Sequence, residues 1–146
     1  MLRILAAMIS INLAGSDMKV FVVEDSAAVR ERLVEMIREV DDVEVVGEAA
    51  TYGTAIAGIA GTAPDVAILD IKLADDGGSG IDVLNEIRRR MPAIRAIVMS
   101  NYITPQHAKA SADAGAEYFL DKSADFERIT EILSAIGEDA EEGNKR

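Results

Sequence analysis

The clearest indication of the fold is the stretch KVFVVEDSAAVRERLVEMIREV, residues 19–40. Its first part, Val20–Val23, is an apolar run of β-branched and aromatic residues, which is typical of a strand buried on both faces. Apolar residues then recur at helical spacing behind Ser26, and this predicts an amphipathic helix with a serine cap. A strand that leads directly into a helix is the building unit of α/β proteins.

The same alternation continues along the rest of the chain. Thr104–Pro105 predicts the start of one helix, Gly115 its end, and Gly137 the end of the last helix. The helix around Tyr52–Ala60 is the weakest prediction, because its glycines lower helix propensity. Short apolar runs predict strands at Val20–Val23, Val43–Val46, Val66–Leu69, Ala93–Met99 and Tyr118–Leu120. Five strands alternating with five helices predict an α/β protein with a five-stranded parallel sheet that is covered on both faces.

The 146 residues are enough for one domain with a substantial core. The predicted division is an N-terminal extension at 1–17, one domain at 18–137 and a polar tail at 138–146. The extension could be a short export signal, leader sequence upstream of the natural start at Met18, or a true N-terminal helix. The sequence does not separate these alternatives, so the extension takes no part in the fold prediction.

Composition excludes several classes of function. The chain has no cysteine, which excludes disulfides, thiol catalysis and cysteine-bound metals, and its single histidine, His107, excludes a multi-histidine metal site. His107 lies early in a predicted helix and is interpreted as a surface or partner-facing residue. The net charge of −11 predicts that nucleic acid is not a partner, since phosphate backbones require a basic surface. No apolar run reaches the roughly 18–20 residues that span a bilayer, so we expect no membrane partner and a cytoplasmic protein.

Polar side chains with complementary chemistry follow the predicted strands. Glu24 and Asp25 end the first strand, and Asp70 ends the third. Ser100 ends the fourth strand, and Lys122 follows the fifth. Because the carboxyl ends of parallel strands meet at one edge of the sheet, where such proteins bind ligands, we expect these side chains to lie close together.

The expected cluster predicts phosphoryl transfer to the protein itself. Crowded carboxylates repel one another, and Mg²⁺, which binds carboxylates together with phosphate oxygens, relieves that repulsion. A carboxylate can also attack phosphorus and form an aspartyl phosphate. Lys122 and Ser100 could then bind phosphoryl oxygens, which makes Asp70 the central candidate for the nucleophile.

Four stretches of the sequence resemble the receiver domain of bacterial response regulators: VFVVEDS (20–26), ILDIKLADDGGSGIDVL (68–84), AIVMSNY (96–102) and GAEYFLDKSADFERI (115–129). The resemblance implies a doubly wound, flavodoxin-like sheet with strand order 2-1-3-4-5. It also implies that Asp70 accepts the phosphoryl group. Mg²⁺ would be held by Glu24, Asp25, Asp70 and the main-chain carbonyl of Lys72. Ser100 and Lys122 would bind the phosphate, and Phe119 would be the aromatic switch residue.

The sequence departs from the family pattern beside the predicted site. Ala74 stands where the family usually has proline, and the loop Ala74–Ser79 carries additional residues. Asn101 stands where the family usually has a smaller residue. By resemblance, Lys72 and Tyr102 tune dephosphorylation together with Asn101, and Tyr102 is expected to shield the phosphoryl group from water.

The predicted function is that of a stand-alone, chemotaxis-regulator-like response regulator, a signalling protein and not an enzyme. A histidine kinase or a histidine phosphotransfer protein would supply the phosphate to Asp70. Either a protein target would then bind the face formed by the fourth helix, the fifth strand and the fifth helix, or the phosphate would be relayed from Asp70 to a histidine of another protein. The chain would be a monomer or a phosphorylation-dependent dimer. Three alternatives stay open: a degenerate receiver that acts without phosphate, a small Mg²⁺-dependent phosphatase with an aspartyl nucleophile, and a flavin- or nucleotide-binding domain.

Overall fold

The computed structural model describes residues 17–74 and 77–144, and strands alternate with helices throughout. The strands are β1 (Met18–Val23), β2 (Val43–Ala49), β3 (Val66–Asp70), β4 (Arg95–Ser100) and β5 (Tyr118–Asp121). The helices are α1 (Ala27–Arg38), α2 (Tyr52–Thr62), α3 (Gly80–Arg90), α4 (Pro105–Asp113) and α5 (Arg128–Asn144). The predicted alternation of five strands with five helices is confirmed.

The strands form one parallel sheet in the order β2–β1–β3–β4–β5. Leu69 of the central strand β3 lies beside Val23 of β1 on one side and Val98 of β4 on the other. The chain reverses its direction of travel across the sheet between β1 and β3. The carboxyl ends of these two strands therefore flank the crevice where open parallel sheets bind ligands. The predicted flavodoxin-like topology is confirmed.

Buried apolar side chains cover the sheet on both faces. One core cluster joins the sheet to Leu33 of α1 and Leu133 of α5. The other joins it to Ile59 of α2 and Leu84 of α3. All residues of β3 are buried, as expected of a strand with a helix layer on each side. The two layers leave the carboxyl edge of the sheet to the polar residues that end the strands.

Local capping interactions place the helices. Ser26 Oγ accepts a hydrogen bond from the Val29 amide at 3.3 Å, which confirms the predicted cap of α1. The weakly predicted α2 has a reciprocal capping box, in which Thr51 and Thr54 each accept a hydrogen bond from the other's main-chain amide. Gly58 in the middle of α2 serves packing, because a Cβ there would lie 2.5 Å from Cζ of Phe21. Glycine thus lowers the propensity of α2 but allows the helix to approach the sheet.

Helix α5 extends beyond its predicted end. It begins at Arg128 and continues past Gly137 to Asn144. Gly137 does not adopt the left-handed conformation that ends many helices, in contrast to Gly115, whose φ is +93°. The glutamates and alanine that follow Gly137 favour helix, so the stretch up to residue 144 is helical.

Two predictions fall outside the described residues. They are the nature of the N-terminal extension, apart from Asp17, and the conformation of Asp75–Asp76 in the extended loop. Within the described part of the chain, none of the helices combines the length and apolar character needed to cross a bilayer.

The side chain of Arg88 ties the end of α3 to the end of α4. Its Nη1 donates to the carbonyl oxygens of Pro92 (2.6 Å) and Ile94 (2.9 Å), and its Nη2 donates to that of Gly115 (3.1 Å). We expect Arg88→Lys to lower the free energy of unfolding by about 1–3 kcal/mol, because one ammonium cannot satisfy carbonyls on both sides of the guanidinium. Urea denaturation measures this loss.

The exposed neighbour Arg90 provides the control for this prediction. Arg90→Lys makes the same chemical change at the surface and should leave the free energy of unfolding within about 0.5 kcal/mol of the parent. Equal effects at both positions would show that the carbonyl contacts of Arg88 contribute nothing to stability.

Candidate functional site

The strands bring their polar terminal residues together at one edge of the sheet. Glu24 follows β1 directly, Asp70 is the last residue of β3, and Ser100 is the last residue of β4. Lys122 follows β5, and its amide donates to the Ser100 carbonyl oxygen at 2.9 Å, which extends the ladder between β4 and β5 by one step. The sheet pairing thus fixes the backbone at each of these positions.

Glu24, Asp25 and Asp70 form a compact cluster of carboxylates. Each offers an oxygen, and these oxygens lie within 4.8 Å of one another. Glu24 is fully buried and Asp70 is 4% exposed, whereas Asp25 is open to solvent. Partial burial, followed by the hydrogen bond and the repulsion from Glu24, raises the pKa of Asp25. The cluster is therefore an electrostatically strained, oxygen-rich site.

The ammonium of Lys122 lies between two of these carboxylates. Its Nζ is 3.2 Å from Asp70 Oδ2 and also forms an ion pair with Glu24 Oε1. Burial by itself lowers the pKa of Lys122, but the contacts with Glu24 and Asp70 outweigh it, so the pKa is raised overall. Lys122 is therefore held in its charged form beside Asp70.

The main chain around Glu24 is fixed by several hydrogen bonds. The Glu24 amide donates to the Ala49 carbonyl at 2.9 Å, and its own carbonyl accepts from Arg30 Nη1 at 2.7 Å. Its carboxylate oxygen Oε2 accepts from the Ser26 amide at 3.1 Å. These contacts hold a buried carboxylate in place, which a site of defined geometry requires.

The donor set fits a hard divalent cation. Three carboxylates against one ammonium leave an excess of negative charge, and oxygen ligands on an open rim suit Mg²⁺, which retains several waters. Lys72 lies beside the cluster with an exposed side chain. The role of its main-chain carbonyl as a further ligand stays a prediction.

Ser100 is buried, and its hydroxyl is engaged in the loop between β4 and α4. Its Oγ donates to the Tyr102 carbonyl oxygen at 2.9 Å and accepts from the Tyr102 amide at 3.0 Å. Asn101 and Tyr102 both lie on the rim, and 66% of the Tyr102 surface is exposed. The predicted tuning roles of Lys72, Asn101 and Tyr102 are not tested by this placement.

The structure places Phe119 apart from the other predicted site residues. Its half-buried ring packs against the core cluster that contains Leu69 and Val98. Phe119 is not among the described residues that line the cavity over Asp70. Its role as a switch stays a prediction. Phe119 pairs with Val98, which lies two residues before Ser100 on β4.

A cavity of about 450 Å³ opens over the carboxylates. Two residues that line it, Arg32 and Phe126, were not among the predicted site residues. Arg32 of α1 places its guanidinium 4.6 Å from the ring centroid of Phe126, a cation–π contact that closes one side. The sequence offered only the helical spacing of α1 and an apolar residue near the last helix, and neither signal indicates a cavity wall.

Gly80 is a further residue of the site that the sequence did not indicate. A Cβ at Gly80 would lie 1.9 Å from the Asp70 carbonyl oxygen and 2.7 Å from the Asp70 carbonyl carbon. The Gly80 amide also donates to the Ile71 carbonyl at 2.8 Å. Glycine at this position therefore allows α3 to start directly against the backbone of Asp70.

Ala74, which stands where the family usually has proline, forms a main-chain hydrogen bond. Its amide donates to the Ala50 carbonyl oxygen at 3.2 Å, within a parallel bridge between Thr51 and Ala74. Proline has no N–H and could not form this bond. The loop after β3 is thus tied to the loop before α2 through the residue that replaces proline.

Comparison with known proteins places the chain in a well-defined group. The family model of the response regulator receiver domain matches residues 20–134. The DNA-binding transcriptional activator DevR/DosR of Mycobacterium tuberculosis is 31% identical over 119 residues, which are 82% of this chain and 54% of the activator. The chain thus spans only about half the length of this curated relative.

Solved structures share the fold. A LuxR-family two-component response regulator from Aurantimonas sp. SI85-9A1 has a TM-score of 0.76 and 29% identity, covering 84% of this chain and 86% of that one. A CheY-like receiver domain protein from Methanospirillum hungatei JF-1 has a TM-score of 0.78 and 24% identity, covering 88% of this chain and 99% of that one. The second likeness bears on the fold alone.

These relatives overturn one prediction. The sequence analysis excluded nucleic acid as a partner, but the curated relative is a DNA-binding activator and the Aurantimonas protein belongs to the LuxR family of regulators. The prediction that nucleic acid is not a partner is wrong, because the net charge of these residues does not describe the other residues of a signalling system. An acidic domain can form part of a system that acts on DNA through other, basic residues.

Proposed function

Since this chain belongs to the response regulator receiver domain family, we propose that it accepts a phosphoryl group on Asp70 from a phosphohistidine. The family membership makes it part of two-component signalling. The geometry of the site supports the proposal that Asp70 is phosphorylated with the help of Mg²⁺.

The observation that carries this proposal is the position of Lys122. Its ammonium contacts Asp70 and Glu24 together, while Asp25 lies within reach on the solvent side. A purely structural ion pair needs one carboxylate per ammonium, and the additional carboxylates here only add repulsion. Extra negative charge on an open rim beside a buried carboxylate is the arrangement expected for cation-assisted phosphoryl transfer.

The chemistry is a single displacement at phosphorus. A carboxylate oxygen of Asp70 forms the new O–P bond while the P–N bond of the phosphohistidine breaks, and the histidine nitrogen leaves with the electron pair and takes up a proton. Mg²⁺, held by Glu24, Asp25 and Asp70, would neutralise part of the charge on the phosphoryl oxygens. Lys122 would bind one of these oxygens, and the Ser100 hydroxyl would donate to another after leaving Tyr102.

The phosphorylated state acts by a shift of population. Turning Ser100 toward the phosphoryl group breaks its contacts with Tyr102, so the loop before α4 differs between the two states. We propose that this change alters the face formed by α4, β5 and α5, which binds a protein target. A histidine kinase or a histidine phosphotransfer protein would be the phosphodonor. In this role the protein is a signalling protein and acts chemically only on its own phosphoryl group.

A link to DNA is a second candidate, favoured by the DNA-binding activator among the relatives. With a net charge of −11, these residues would act on DNA through a basic partner or through further protein sequence. Gel shifts of a DNA duplex with the unphosphorylated and the phosphorylated chain test this candidate, and unchanged mobility would place the DNA contact in a basic partner or in further protein sequence. A shift that weakens steeply with salt would instead assign DNA binding to the chain itself.

Phosphorylation by acetyl phosphate tests the main proposal. We expect intact mass spectrometry to show the gain of one phosphoryl group in the presence of Mg²⁺. Chelation of divalent cations or the substitution Asp70→Asn should abolish the gain, because the first removes the neutralising charge and the second removes the nucleophile.

Asp113→Asn is the matched control for this experiment, since Asp113 is an exposed carboxylate on α4. This variant should be phosphorylated like the parent chain. Absence of any gain in folded protein, also with a cognate kinase, would instead support the phosphate-independent alternative. Sustained turnover of phosphate esters would support the phosphatase alternative.

A further inference from the structure

The single histidine of the chain contacts the loop that holds the Ser100 hydroxyl. His107 Nδ1 lies 3.2 Å from the Tyr102 carbonyl oxygen, the same oxygen that accepts the Ser100 hydroxyl at 2.9 Å. His107 is half-buried near the start of α4, where its amide donates to the cap residue Thr104 at 3.1 Å. The cap therefore fixes the imidazole beside the loop.

We propose that His107 is a positioning residue that keeps the Ser100 hydroxyl committed to the Tyr102 main chain. This inference rests on the proposed function, in which Ser100 must donate its proton to the phosphoryl group on Asp70. A hydroxyl has one proton, so Ser100 cannot serve Tyr102 and the phosphoryl group at the same time. Any group that stabilises the Ser100–Tyr102 contact opposes the switch.

The chemistry of the contact fixes the state of the imidazole. The Tyr102 carbonyl can only accept a hydrogen bond, so His107 must carry a proton on Nδ1 to form one. With donors from both Ser100 and His107, the two lone pairs of this carbonyl are occupied and the peptide group of Tyr102 is oriented. In the same orientation, the Tyr102 amide donates a hydrogen bond to Ser100 Oγ at 3.0 Å.

Removal of the imidazole should loosen the contacts of Ser100. Loss of the one hydrogen bond from His107 should shift the equilibrium between the two positions of the Ser100 hydroxyl by about 3- to 10-fold. Alanine is the best helix former, so His107→Ala should leave α4 intact. We therefore expect this variant to fold normally and to hold Ser100 less firmly.

Hydrogen exchange at the Tyr102 amide gives a direct measurement in the unphosphorylated chain. In His107→Ala this exchange should be about 3- to 10-fold faster than in the parent. His107→Asn should restore the slow exchange, because the asparagine Nδ2 lies close to the place of the imidazole Nδ1 and can donate. Lys109→Ala, an exposed change on the same helix, should have no effect. Nitrogen NMR should also find the His107 proton on Nδ1.

A double substitution separates positioning from general support of the loop. In a Ser100→Ala background the Tyr102 amide has lost its acceptor, so His107→Ala should no longer change its exchange. Unchanged exchange in His107→Ala alone, or an equal acceleration in the Ser100→Ala background, would overturn the inference.

The phosphorylation rate distinguishes this inference from the proposed function. His107→Ala should gain the phosphoryl group from acetyl phosphate about 3- to 10-fold faster than the parent, because the Ser100 hydroxyl is released more often. Faster amide exchange with no phosphoryl gain in any variant would support the positioning role of His107 and overturn the phosphorylation of Asp70. A parent that is phosphorylated but shows no change on removal of His107 would overturn the positioning role alone.

Discussion

Gly80→Ala will destabilise the protein and impair phosphorylation at Asp70. The new methyl group would lie 1.9 Å from the Asp70 carbonyl oxygen, and side-chain rotation cannot separate them, because the backbone fixes the Cβ position and the oxygen belongs to the backbone. The clash must move α3 or the end of β3, and we expect a loss of about 1–3 kcal/mol in the free energy of unfolding. Because the displaced backbone carries Asp70, the rate of phosphoryl gain from acetyl phosphate should fall as well.

Gly137→Ala is the control for this prediction. A Cβ at Gly137, inside α5, meets nothing within 4 Å, so alanine should raise stability by up to about 1 kcal/mol through its higher helix propensity. Urea denaturation of both variants should therefore give changes of opposite sign. If the Gly80→Ala variant were as stable and as reactive as the parent, the start of α3 would be able to move away from Asp70 without lowering the free energy of unfolding.

Lys122→Met will have the largest effect on stability when no divalent cation is present. This change leaves the buried carboxylates of Glu24 and Asp70 without their ammonium, and loss of one partner of a buried pair costs about 3–5 kcal/mol. The substitution Asp70→Asn removes one of the repelling charges instead, so it should leave stability unchanged or raise it. Urea denaturation in a chelating buffer compares the two variants directly.

Addition of Mg²⁺ extends this comparison. The cation should raise the stability of Lys122→Met more than that of the parent, because it binds the more negative site more tightly and thereby favours the folded state. Lys122→Met should also lose most of its phosphorylation by acetyl phosphate. If the two substitutions lowered stability equally, the ammonium would contribute no net attraction and Lys122 would not be the balancing charge of the site.

The architecture could be predicted from the sequence because the strands are short apolar runs, and four of the five lead into a polar group. Asp70 and Ser100 each follow an apolar run, and their proximity could be predicted from a general property of parallel sheets, that the carboxyl ends of the strands meet at one edge. The cluster of Glu24, Asp25 and Asp70 follows from that placement. Two of the predicted helix caps, Ser26 and Thr104, depend on contacts three residues apart, which sequence spacing reveals.

Other features depend on distant contacts that no local pattern carries. The need for glycine at position 80 arises from the approach of α3 to the end of β3. The sequence predicts His107 to be a surface or partner-facing residue, and nothing in it indicates that the ring reaches the Tyr102 carbonyl. The predicted end of α5 at Gly137 is wrong, because the residues after Gly137 favour helix. The prediction that nucleic acid is not a partner was wrong for a different reason. It applied the net charge of these residues to the whole signalling system, in which a relative binds DNA.

The position of β5 at the edge of the sheet has a consequence for the order of folding. Lys122 lies 52 residues after Asp70 in the chain, so a ribosome completes all three carboxylates of the site long before their ammonium. A nascent chain that ends after β4 carries an unbalanced acidic crevice, which a divalent ion in the surrounding medium can neutralise. When β5 joins the sheet, the ammonium of Lys122 comes to lie between Glu24 and Asp70, and relief of charge repulsion adds to the hydrogen bonds that attach this strand. The charges of the site would thereby help the edge strand to dock during synthesis.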